Sequence, residues 1–241
     1  MSKQDRQKGK SSTIIAIIPA RGGSKRIKHK NIREFCGQPI IKYSIAAAKG
    51  TGLFDDVIVS TENNKIAKIA AKLGASVPSL RSEKNATDHS TLADMMLEEI
   101  AKLESRGIYP DYLCLIFATV PNISPEEIAN GLKVLKKNHA DSVVCVCEFS
   151  EPVGRALIIE GGLVKMINGG NKFKRTQDLD KRYFDAGRFY WIKTEAFKKS
   201  KSFFCKNARP VIAPRILVQD IDTEDDWSAM EVKFKLLKKN L

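Results

Sequence analysis

Residues 14–31 read IIAIIPARGGSKRIKHKN. The unbroken apolar run Ile14–Ile18 predicts a strand buried on both faces. Pro19 ends it, and the pair Gly22-Gly23 lets the backbone bend sharply and approach a ligand closely. Arg21, Lys25, Arg26, Lys28, Lys30 and Arg33 then follow with no acid before Glu34. Like charges crowded into one loop repel one another, and a polyanion relieves that repulsion. A strand that feeds a small-residue turn with converging amides and cations suits a phosphate chain. The competing reading is a solvated basic loop, which most charge runs are. The stretch is neither a G-x-x-x-x-G-K-[ST] loop nor a G-x-G-x-x-G dinucleotide turn.

Outward from this stretch, strands and helices alternate. Pro39 to about Lys49 reads as a helix ended by Gly50 and Gly52, and Val57–Ser60 as a short buried strand. Asn63 or Asn64 caps a helix closed by Gly74, and Ala75–Pro78 reads as a third short strand. A helix follows from about Ser90 to Ser105, then a strand over Tyr112–Ala118. Ser124-Pro-Glu-Glu127 is a capping box that opens a helix to about Asn138, followed by a strand over Val143–Glu148. This order predicts an α/β fold with a mostly parallel sheet covered by helices on both faces. Ligands then sit at the carboxyl ends of the strands, where the basic loop, Ser60-Thr61 and Ala118-Thr119 fall.

From Glu151 the pattern changes. Ala156–Glu160, Gly161-Gly162 and Leu163–Ile167 predict a β-hairpin, and Asn168–Lys181 a basic, glycine-bearing loop. Phe189–Ile192 and Ile216–Val218 read as further strands, and Thr223 caps a final helix. The expected organisation is a basic disordered leader over residues 1–12 and a single domain over 13–241, with an excursion at about 151–187.

The chain has 241 residues, enough for one sizeable core, and a formal charge of +13. Such a balance fits nucleic acid, but equally an enzyme of a nucleoside triphosphate and a carboxylate sugar. No aromatics interleave with the basic loop, as a single-strand surface requires, so nucleic acid is the weaker reading. The five cysteines lack C-x-x-C spacing, which indicates neither a disulfide framework nor a zinc site. The apolar runs are too short to span a bilayer, so a cytoplasmic protein with no membrane association is expected.

Asp220 and Asp222 stand two apart in an extended stretch, so both carboxylates can face one magnesium ion. Asp222, Glu224, Asp225 and Asp226 can equally decorate the positive end of the last helix, which leaves Asp220 unexplained. Spacing alone supports both readings. Arg175 could grip a carboxylate in two-pronged fashion, although its residue context alone favours one more solvated cation.

Ile18-Pro-Ala20-Arg21-Gly22-Gly23-Ser24-Lys25-Arg26, followed by Lys30-Asn31, resembles the signature of the sugar-acid (acylneuraminate-type) cytidylyltransferases. These enzymes activate sialic acids and their relatives by joining them to CMP from CTP. The resemblance implies a Rossmann-like nucleotide-sugar transferase fold, a homodimer, and an excursion that forms both the dimer contact and one wall of the sugar pocket. It implies that Asp220 and Asp222 hold Mg2+, and that Arg21 and Lys30 hold the triphosphate. Ala20, Gly22, Gly23, Ser24, Asn31 and Arg81 would complete the nucleotide site. Arg175-Thr-Gln177-Asp-Leu and Tyr183-Phe-Asp185-Ala-Gly187 are similar to the family's sugar-acid loop, so Arg175, Gln177 and Asp185 would face the sugar beside Thr119 and Tyr190. Sialic acid enzymes usually carry Q-P-T-S-P after the fourth strand, whereas this chain has Phe117-Ala-Thr-Val-Pro121. An aromatic in place of an amide favours a less hydroxylated, more apolar substrate. This resembles the pseudaminic acid branch, with sialic, legionaminic and eight-carbon keto acids as alternatives. Glu62 stands where the family more often has Asp, a departure read as minor.

Overall fold

A computed structural model describes residues 12–239. The expected basic leader, Ser12 excepted, lies outside the described residues. Strand β1 (Ile14–Pro19) sits between two parallel neighbours, β4 (Asp56–Ser60) and β5 (Tyr112–Ile116). Alternate β1 side chains face opposite cores, which is why the run is apolar throughout. Ile14, Ala16 and Ile18 join one cluster with α1 (Ile41–Gly50), α2 (Asn64–Lys72) and α4 (Pro125–Lys137). Ile15 and Ile17 join another with α3 (Leu92–Ser105) and α5 (Thr194–Ser200).

The sheet has six strands in the order β10-β6-β9-β5-β1-β4. Here β6 is Ser142–Glu148, β9 is Tyr183–Lys193 and β10 is Ala208–Ile212. Only β9 runs antiparallel to its neighbours, and it does so in the middle of the sheet. The excursion carries the chain outward, and β9 brings it back. Its hairpin pairs β7 (Leu157–Glu160) with β8 (Leu163–Met166), as expected. Gly161 and Gly162 turn it with φ of 57° and 79°, the left-handed conformations that a two-residue hairpin turn of this kind demands. A small ladder of β2 (Glu34–Phe35) and β3 (Gln38–Pro39) follows the basic loop. The last helix, α6 (Glu224–Lys239), packs Trp227 and Phe234 on Ile27, Phe35 and Ile40, so the C-terminus braces the underside of that loop.

Three expectations are corrected. Ala75–Pro78 is no strand; Ser76 makes an isolated bridge to Ile58. Ile216–Val218 is not a strand either but overlaps a 3-10 turn, Arg215–Leu217, whose carbonyls serve side chains instead of a ladder. Ser124 caps α4 by accepting from the Glu127 amide, but the reciprocal half of the box is absent because the Glu127 carboxylate is bound to Arg188. α5 and β10 are not legible as elements in the sequence reading. Pro210 fits β10 because that strand lies at the sheet edge.

Candidate active site

The carboxyl end of β1 opens into a cleft of about 270 Å3. Its floor is the turn after Pro19. Ala20 is buried and donates its amide to the Ser60 carbonyl, and the Asn31 side chain donates to the Arg21 carbonyl at 2.8 Å, so the loop is tied at both ends. A Cβ on Gly22 would lie 2.6 Å from Asn63 Nδ2. Glycine is therefore required there by the close approach of the α2 cap. The Gly22 amide donates to Glu62 Oε1 at 2.5 Å, while Glu62 Oε2 is buried with no hydrogen-bond partner among the described residues. Glu62 thus braces the turn after β1, a role that the sequence reading passed over.

Among the described residues the loop's cations other than Lys28 are partnered. Arg21 and Lys25 both reach Asp88, which lies across the cleft and whose carboxyl is held below the usual range by hydrogen bonds first from Lys25 and then from Arg21. Arg26 reaches Asp222 at 2.8 Å, and Arg33 pairs with Glu224. His29, at φ 57°, starts the short turn Lys30–Ile32, which aims Lys30 Nζ at the Ile221 carbonyl (2.7 Å) and at Asp222 Oδ1 (3.2 Å). What reads as a free basic run is, in the fold, a clamp between the first strand and the segment before α6.

Arg81, Phe117 and Thr119 also line this cleft, as do Ser24 and Asn31. Arg81 is buried and donates to the Ser60 hydroxyl and carbonyl; burial pushes its pKa down, against the charges of Glu62 and Glu99. Its Nε and Nη2 are therefore occupied in holding the cleft wall. Phe117 packs edge-on against Tyr190, with centroids 5.5 Å apart. Gly23 has open space where a Cβ would be, at the mouth of the turn.

A second cleft, about 500 Å3, lies beyond Asp222, which lines both. Asp220, Asp185, Phe184 and Phe149 line it, and Arg215 is the one cation among its lining residues. Asp185 accepts from the Tyr190 hydroxyl and from the Gly187 amide. That contact, after burial, pushes the Tyr190 phenol well up, so it stays a donor. The Asp220 carboxyl is raised by loss of hydration and then by the negative charge of Asp222. A carboxyl raised in this way beside a second carboxylate, both hard oxygen donors, fits a shared divalent cation. Among the described residues no group of three or more His, Cys, Asp or Glu side chains is placed to hold a metal, so such an ion would rely on this pair plus substrate or water oxygens.

Of the residues expected to face the sugar, Asp185 lies in the second cleft, Phe117 and Thr119 in the first, and Tyr190 is buried between them. Arg175 and Gln177 reach neither: they sit on an exposed turn where Arg175 pairs with Asp178 at 2.8 Å.

The node that sequence reasoning missed is Arg188, 1% exposed on β9. It grips Glu127 with two bonds (2.7 and 2.6 Å) and donates to Asn122 Oδ1 and to the Leu217 carbonyl. Its own carbonyl accepts from the Phe117 amide. One side chain thereby ties the loop after β5, the start of α4 and the segment leading to Asp220. An arginine inside the apolar run of β9 was the available signal, since a buried charge needs a partner.

A family model described as cytidylyltransferase matches residues 15–212. The chain is 34% identical over 223 residues to the pseudaminic acid cytidylyltransferase of Campylobacter jejuni subsp. jejuni serotype O:2, covering 92% of this chain and 96% of that protein. It is 33% identical over 232 residues to the CMP-N,N'-diacetyllegionaminic acid synthase of Legionella pneumophila subsp. pneumophila, covering 92% and 97%. Among solved structures, a CMP:2-keto-3-deoxy-manno-octonic acid synthetase complexed with CTP aligns with a TM-score of 0.68 at 15% identity, over 95% of this chain and 100% of that one, which speaks to the fold.

Proposed function

The chain belongs to the cytidylyltransferase family, and from that premise we propose that it transfers CMP from CTP to the anomeric hydroxyl of a nine-carbon, sialic-like sugar acid, pseudaminic acid before its relatives, with release of pyrophosphate. The observation that carries this reading is the position of Asp222 on the shared edge of two clefts, one walled by a phosphate-type turn and the other by hydrogen-bonding and aromatic groups.

The triphosphate lies along the turn after β1. Arg21 and Lys25 exchange Asp88 for phosphate oxygens, and Lys30, already fixed to the Ile221 carbonyl, stabilises charge on the departing pyrophosphate. Asn31 keeps the loop closed, and Arg81 stiffens the wall against which the nucleoside rests. The acid enters the second cleft with its anomeric hydroxyl toward Asp220 and Asp222. Asp220 and Asp222 would hold a magnesium ion, which would supply a lower pKa for the attacking hydroxyl and a positive charge opposite that developing at the α-phosphorus. The rest of the rate comes from holding the two reactants in line.

The same reading takes the protein to be a cytoplasmic homodimer. The hairpin exposes Ile159 (77%), Val164 (65%) and Leu157 (59%), which share one face by register and alternation, an apolar face suited to a second copy. Arg175 and Gln177, off the clefts of their own chain, then lie where a partner can present them. The five cysteines are free thiols, which fits a reducing compartment.

The experiment is pyrophosphate release with magnesium, crossing CTP, GTP, UTP and ATP against pseudaminic, sialic, legionaminic and keto-octulosonic acids. Release confined to CTP with pseudaminic acid supports the whole reading. Turnover with sialic acid instead keeps the reaction and removes the significance given to Phe117. No release from folded protein with any pair overturns the function.

A further inference from the structure

We infer that Arg215, through a guanidinium with no ion pair among the described residues, is the group that takes the carboxylate of the acid substrate in the second cleft; this rests on the function proposed above. Around the two clefts the other arginines of the phosphate loop and of β9 have carboxylate partners: Arg21 has Asp88, Arg26 has Asp222, Arg33 has Glu224 and Arg188 has Glu127. Arg215 has no such partner and no side-chain hydrogen bond among the described residues; its guanidinium stands over the Phe184 ring, 5.4 Å from the centroid. It lines the second cleft together with Asp220 and Asp222, so an acid held there is presented directly to the carboxylate pair.

A cleft edged by Glu151, Asp185, Asp220, Asp222 and Asp226 repels an anion unless a cation compensates, and Arg215, whose charge reaches Glu151 without a direct ion pair, is the lining residue able to do so. Lys233 lies behind it. Its ammonium is spent on the Gln219 side chain (2.8 Å) and the Val218 carbonyl (3.2 Å), and its pKa is lowered by burial first and by the charge of Arg215 next. Two neighbouring cations without an ion-pair partner among the described residues form a positive end to an otherwise acidic cleft. A planar fork stacked on an aromatic ring is also pre-oriented for a two-pronged grip on a carboxylate. Arg175 lacks both features, being exposed and paired with Asp178. The acidic opposite wall is left to accept hydrogen bonds from the hydroxyl and amide hydrogens of the sugar.

The test compares wild type with Arg215→Met, Arg215→Lys and Arg175→Met in steady-state pyrophosphate release, with thermal unfolding recorded for each. The acid is supplied free and as its methyl ester. Arg215→Met is expected to raise KM for the acid about tenfold to a hundredfold, with KM for CTP unchanged. Arg215→Lys should recover part of that loss. Wild type should discriminate against the ester by a similar factor, and Arg215→Met by less than about threefold, as two changes that remove one interaction are not additive. An unchanged KM for the acid, equal rises for acid and CTP, undiminished discrimination against the ester, or the whole effect in Arg175→Met would each overturn the assignment. If wild type turns over none of the acids, the proposed function falls and the inference with it; a working enzyme indifferent to Arg215 removes the inference alone.

Discussion

The two clefts that meet at Asp222 are built in different ways. The first is finished by one chain. Its floor is backbone at the end of a buried parallel strand, its walls are tied by Asn31, Arg81 and Ser60, and its cations arrive already matched to Asp88, Asp222 and Glu224. The second depends on an excursion whose hairpin leaves apolar side chains in solvent, and it holds an arginine that makes no direct ion pair among the described residues. The difference teaches that the first cleft follows from sheet topology, whereas the second, on the function proposed above, is completed from outside, by substrate and by a second copy.

The comparison is broken most severely at the shared edge. Asp222→Asn removes a carboxylate from both clefts and leaves Arg26 and Lys30 without their partner. Turnover is expected to fall at least about a hundredfold, measured as pyrophosphate release at saturating substrates. Next comes the contrast between a finished and an unfinished ion pair. Arg188→Met strands the Glu127 carboxylate in the protein interior and should cost about 3–5 kcal/mol of stability by denaturant unfolding. Arg182→Met, whose exposed partner is Asp180, should cost less than about 1 kcal/mol.

Ile159→Asp on the hairpin should weaken self-association at least about tenfold in light scattering, with little change in unfolding of the separated chain. A further modest effect lies beside the first cleft, where Asn85 of its lining donates to Glu98. Glu98 is lowered to about 2: burial alone would raise it, but Lys102, Ser82 and Asn85 outweigh that. Because its folded pKa is depressed, its contribution is present above the ordinary carboxyl range and is lost as pH falls toward about 2. Glu98→Gln should therefore cost about 1 kcal/mol at neutral pH and nothing at the acid end, read from urea unfolding at several pH values.

The nucleotide half was legible because its signals are local. Ile14–Ile18 alternates between two cores within one strand, and the glycine turn and cation run follow within a few residues. The hairpin at Gly161-Gly162 was legible for the same reason. Arg188 was not, because its partners Asn122 and Glu127 lie 66 and 61 residues away and no short-range pattern connects them. Ile216–Val218 misled because three apolar residues read as a strand, yet their carbonyls are taken by Arg188, Asn122 and Lys233. Glu62 looked like a neutral exchange of one acid for another; only the fold brings its longer arm to the Gly22 amide. The carboxylate pair was visible in sequence as spacing that suits a helix end or a cation equally, and the fold adds that Asp222 lines both clefts and Asp220 the second. Asp226, in contrast, does serve the helix end, accepting from the Thr223 amide and hydroxyl.

The most direct test of the central claim, that Asp220 and Asp222 exist for chemistry and not for the fold, is Asp220→Asn measured for both turnover and thermal stability. The folded pKa of Asp220 is raised, so its ionised form at neutral pH works against folding, and an amide removes that penalty. The account predicts at least about a hundredfold less pyrophosphate release, with a melting temperature equal to or above that of wild type. Turnover near the wild-type level, or a melting temperature that falls along with the rate, would contradict it.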